Sequence, residues 1–167
     1  MNDLGGQPPL AIDEVRERLS DDRAFRSARI FGLDLTGLDF SGAVLEGAVL
    51  DGCRLDGVSL AGATFTDAIL RGCSLRGARL SGATMDNVTI QGCDLGEANL
   101  SEADLTGAEV SEGIAFSRLT SNQDEETRLS LWKPTRFDGA DLTRANLSGA
   151  SMVEAGLRDV VLAGANL

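Results

Sequence analysis

Catalysis by side chains needs a base, an activated nucleophile or a metal-ligand set, and this sequence is short of all three. It contains no His, and Cys53, Cys73 and Cys93 stand twenty residues apart with no C-x-x-C pair of the kind that holds zinc. A regular column of thiols admits a metal or redox reading, but Cys is also an Ala-sized apolar residue that packs well in cores. No phosphate-cradling glycine loop precedes a helix, and the Ser and Thr residues lack a base partner. The chain therefore reads as non-enzymatic, with no cofactor and no metal.

Carboxylates are the chemistry that remains. The 167 residues carry 26 Asp and Glu against 15 Lys and Arg, a net charge of −11. That balance disfavours direct nucleic-acid binding and favours attraction to basic surfaces. No apolar run reaches the roughly 18 residues a membrane helix needs, and the N-terminus lacks a basic flank followed by an apolar stretch. The expectation is a cytoplasmic protein with reduced thiols and no membrane contact. With aromatics at 4% and no Tyr, the core has to be built from Leu, Ala, Val and Cys.

The elements that place these groups follow from an internal repeat. From Ile30 every fifth residue is apolar, through Leu35, Phe40 and Leu45 to Val110, and the pattern resumes at Phe137 and runs to Leu167. Two residues before each centre the side chain is small or apolar, mostly Ala; two residues after, it is usually Gly. A period of five matches neither the 3.6 of a helix nor the 2 of a strand, so neither element buries all the centres on one face. A chain that turns a corner after every unit does.

The units Ala98-Asn99-Leu100, Ala103-Asp104-Leu105, Ala140-Asp141-Leu142 and Ala145-Asn146-Leu147 carry an A-[D/N]-L-x-x pattern that resembles the signature of the pentapeptide-repeat family. The resemblance spans residues 28–112 and 135–167. It implies an all-β fold, a right-handed quadrilateral parallel β-helix of about six coils with four units in each. Centre and small residue point inward and the other three positions outward. Stacked at about 4.8 Å, such coils make a rod roughly 29 Å long.

Twenty residues per coil sorts the side chains by face. Cys53, Cys73 and Cys93 then share one inward column. The face centred on Leu45, Phe65, Met85 and Leu105 carries Glu46, Asp67, Asp86 and Asp104 with no base, and is the expected partner-binding face. The face centred on Leu55 and Leu75 interleaves Arg54, Arg76, Arg136 and Arg158 with acids and should neutralise itself. An acidic stripe admits two readings: a solvated face that keeps the rod soluble, or mimicry of the DNA phosphate backbone. Members of the family similar to MfpA and Qnr are dimeric acidic rods that bind the DNA-binding surface of bacterial DNA gyrase and topoisomerase IV. The resemblance implies a protein partner of that kind; a structural or adaptor role is the alternative.

The ends and one break complete the layout of a single domain. Residues 1–27 read as an N-terminal cap with a short helix over 13–20, Asp13 serving as its N-cap and Phe25 opening the first coil. Val110 and Phe137 are 27 residues apart, not a multiple of five, so residues 113–134 are expected to leave the rod as a loop. Asp124, Glu125, Glu126, Arg128 and Trp132 within it form a second candidate partner-binding site, since long loops in compact domains are commonly functional. The C-terminus stops in mid-pattern at Leu167. Either a homodimer forms through the C-terminal coil or the chain is a piece of a longer protein.

Overall fold

The computed structural model describes residues 8–113 and 133–167. Three of the four repeat centres in a coil, such as Leu45, Leu55 and Leu60, are followed by a hydrogen-bonded turn, and the sheet centres such as Leu50 by a bend. In the unit that starts at Phe40, the Ala43 N–H bonds back to the Phe40 carbonyl at 2.9 Å. Gly42, the third residue of that turn, has φ +65°, and a type II turn requires a positive φ there. Three such turns and one bend return the chain to its starting side one coil higher, where the Leu45 N–H meets the Thr64 carbonyl at 2.7 Å.

One side of the solenoid is a parallel sheet of strands β1 (Arg29–Phe31), β2 (Val49–Asp51), β3 (Ile69–Arg71), β4 (Thr89–Gln91), β5 (Glu109–Ser111) and β6 (Ser151–Met152), stacked in chain order. Its central register runs Ile30, Leu50, Leu70, Ile90, Val110, Met152. Parallel bridges build the other three sides: Asp34↔Arg54 and onward to Gly156, Asp39↔Ser59 and onward to Val161, and Ala24↔Val44 and onward to Asn166. The result is a parallel β-solenoid with four sides.

The repeat centres and the small residues before them fill its interior. Leu35, Leu55, Leu75 and Leu95 are fully buried, as are Ala43, Ala63 and Ala78. Alternation of large and small side chains lets a narrow interior reach ordinary core density, and each buried Leu contributes about 1.5–3 kcal/mol relative to an exposed one. At the N-terminal end Phe25 and Phe40 pack with ring centroids 5.5 Å apart.

Helix α1 (Ile12–Ser20) lies at that end. Its N-cap is Ala11, not Asp13 as the sequence led us to expect. The Glu14 carboxylate accepts the Ala11 N–H at 2.7 Å, so the half of a capping box supplied from inside the helix suffices, and Asp13 sits in the first turn beside Arg16 at 3.1 Å. Val15 is buried in the core, the Leu10 N–H bonds the Arg29 carbonyl at 2.7 Å, and Arg18 donates to the Ala24 carbonyl at 3.1 Å. These contacts tie the helix to the first coil and cover strand edges that would otherwise invite pairing.

The ladder persists across the break in the repeat. Bridge partners lie 20 residues apart below it, as in Ser74↔Asp94, and 42 apart across it, as in Asp94↔Arg136; the difference, 42 − 20 = 22, is the extra chain. Gly113 and Lys133 close its base as an antiparallel bridge, each N–H donating to the other's carbonyl at 2.9 Å. Asp124, Glu125, Glu126, Arg128 and Trp132 lie outside the described residues.

Candidate protein-interaction surface

The position just before each repeat centre decides what many of the carboxylates do. An Asp or Asn there bonds the backbone N–H two residues on, an Asx turn that reinforces the corner. Asp34 bonds the Thr36 N–H at 3.1 Å, Asp39 that of Ser41 at 2.9 Å, Asp94 that of Gly96 at 2.9 Å and Asp141 that of Thr143 at 2.9 Å. Asn99 and Asn146 make the same bond, to Ser101 at 2.9 Å and Ser148 at 3.3 Å. The Thr36 hydroxyl and N–H, and more weakly the Arg54 guanidinium, hold the Asp34 carboxyl below the ordinary carboxylate range. Thr143 does the same for Asp141. The [D/N] preference of the repeat is therefore a folding device, a role that sequence reading missed although the D/N-x-S/T spacing carries its signal.

The four acids of the predicted face differ once their neighbours are known. They do share one side, along the bridges Val44↔Thr64↔Thr84↔Asp104. Glu46, however, pairs with Arg26 at 3.2 Å, so the face is not free of bases: Arg26 stands twenty residues earlier and stacks directly beneath it. Asp104 is engaged by the Thr106 hydroxyl at 2.6 Å and the Asn146 side-chain amide at 3.2 Å. Asp86 accepts the Thr66 hydroxyl at 2.7 Å. Asp67 occupies an exposed corner at φ +57° and has no side-chain bond among the described residues. Asp67, Asp86 and Asp104 are thus the carboxylates on this face with no paired cation among those residues, Asp104 being held by neutral donors only.

The mixed face on the opposite side of the rod neutralises itself in part. Arg54 meets Asp34 at 2.9 Å, Arg76 meets Glu97 at 2.7 Å and Asp94 at 3.4 Å, and Arg136 meets Asp138 at 3.1 Å. These pairs are solvent-exposed and screened by water and salt, so their effect is on the potential of that side rather than on stability.

The thiols are enclosed. Cys53, Cys73 and Cys93 are buried and reduced, and the Sγ of Cys53 donates to the Ile30 carbonyl at 3.2 Å. The bond with Cys73, followed by burial, pushes the Cys53 thiol pKa far above its usual range. Among the described residues no cluster of His, Cys, Asp or Glu is arranged to hold a metal ion. At the far end, Leu157, Leu162 and Leu167 are 45%, 43% and 80% exposed although they occupy repeat centres, because among the described residues their coil is paired on one side only.

A family model described as a pentapeptide repeat region matches residues 25–100, and a second, for eight copies of the pentapeptide repeat, matches residues 135–167. The chain belongs to the pentapeptide-repeat family. Sequence comparison with curated proteins gives no match. Among solved pentapeptide-repeat structures, Rfr23 from the cyanobacterium Cyanothece 51142 is similar at 20% identity, with a TM-score of 0.57 over 93% of this chain and 95% of that one. Full-length QnrB1, a plasmid-mediated fluoroquinolone resistance protein, is similar at 16% identity, with a TM-score of 0.51 over 83% of this chain and 71% of that one. At these identities the likeness is one of fold. The match at residues 135–167 makes the coils after the break the same kind of repeat as those before it.

Proposed function

We propose that this pentapeptide-repeat rod is a non-enzymatic protein-interaction module that presents an acidic face to the DNA-binding surface of a bacterial type II topoisomerase, DNA gyrase or topoisomerase IV, and so alters sensitivity to its inhibitors. The observation that carries the reading is the set Asp67, Asp86 and Asp104. All three sit on one side of a stiff ladder, with no cation paired to any of them among the described residues. Carboxylates held at rung spacing on a rod with net charge −11 create a potential that a DNA-binding cleft attracts. The fold shared with QnrB1, a fluoroquinolone resistance protein, supports the choice of partner. The test is binding to purified gyrase by the wild type and by a D67N/D86N variant. Asn tolerates the left-handed backbone at position 67 and still accepts the Thr66 bond at position 86, so the variant removes charge and keeps shape. Binding that weakens at least tenfold, and a wild-type affinity that falls with added salt, is the expected result. A wild type that does not bind gyrase overturns the proposal.

A second reading is an adaptor solenoid that docks a protein partner on its last coil, a second copy of this chain being the simplest occupant. The exposed Leu157, Leu162 and Leu167 favour it. Sedimentation is expected to give a dimer for the wild type and a monomer for Leu162→Glu; a monomeric wild type rejects the homodimer.

A further inference from the structure

We draw no further inference here: the strongest candidate, the groove of about 240 Å³ beside the Gly113–Lys133 bridge and lined by Cys73, Ser74, Cys93, Asp94, Lys133 and Arg136, carries nothing because Ser74, Asp94 and Arg136 are already bonded to Asp56, Gly96 and Asp138 and nothing in the structure points to a ligand.

Discussion

The backbone N–H of Cys93 donates to Oγ1 of Thr135 at 3.3 Å, although the two residues stand 42 apart in the chain. Thr135 is the next rung of the column that Cys53, Cys73 and Cys93 begin. Its hydroxyl donates to the Ser111 carbonyl at 2.6 Å, much as the Cys93 thiol donates to the Gln91 carbonyl at 3.5 Å. The column therefore needs a small side chain that can satisfy a corner carbonyl, and Cys and Thr both qualify.

That equivalence makes the thiols structural. All three are expected to resist an aromatic disulfide reagent at pH 8 until the protein is unfolded in denaturant, since contact with Cys73 and burial raise the Cys53 thiol, while at Cys73 the opposing contact with Cys53 is outweighed by Cys93 and burial. Rapid labelling of the native protein would show the column to be open. Cys93→Thr is expected to change stability by no more than about 1 kcal/mol, the scale of one hydrogen bond.

Two corner glycines separate backbone strain from close packing. Both Gly62 and Gly92 have positive φ, +64° and +59°, but a Cβ at Gly62 meets nothing within 4 Å while one at Gly92 runs into the Gly113 carbonyl. Gly62→Ala should cost about 1–2 kcal/mol, the strain of an L-residue in the left-handed region. Gly92→Ala should cost clearly more, because the Gly113–Lys133 closure has to shift as well. Urea unfolding of the two variants checks this; equal losses would mean that the closure resists nothing.

The reverse substitution should stabilise. Glu154 occupies a corner at φ +57° and has no ion pair among the described residues. Glu154→Gly relieves the left-handed strain at the cost of a more flexible unfolded chain, for a net gain of about 0.5–1 kcal/mol. A melting temperature that falls would show that the corner is not strained.

Acid sensitivity follows from the Asx turns. The folded pKa values of Asp34, Asp39 and Asp141 lie below the ordinary value, so the unfolded chain takes up protons first. The stabilisation is present above about pH 4, near the unfolded Asp value, and is lost as pH falls below it through the folded values. Asp141→Asn should fold normally at pH 7, since Asn99 and Asn146 hold equivalent corners. It should also show a shallower loss of stability between pH 5 and 3 in denaturant titrations. An unchanged slope would remove Asp141 from the acid-labile set.

The sequence alone determined the architecture of this protein. An apolar centre every fifth residue calls for a chain that turns a corner after each unit, the resemblance to the pentapeptide-repeat family implies four such units per coil, and the burial of Leu35, Leu55, Leu75 and Leu95 is the outcome. Turn chemistry is local, so it is legible from neighbours in the chain. What only the tertiary structure decided is which carboxylates are neutralised. Glu46 is neutralised by Arg26 from twenty residues away, whereas Asp104 meets the uncharged amide of Asn146 from forty-two and keeps its charge. Charge on the rod depends on contacts between coils, and the ladder register sets those contacts, so the face that counting by position had drawn as uniformly acidic keeps Asp67, Asp86 and Asp104 and loses Glu46 to Arg26.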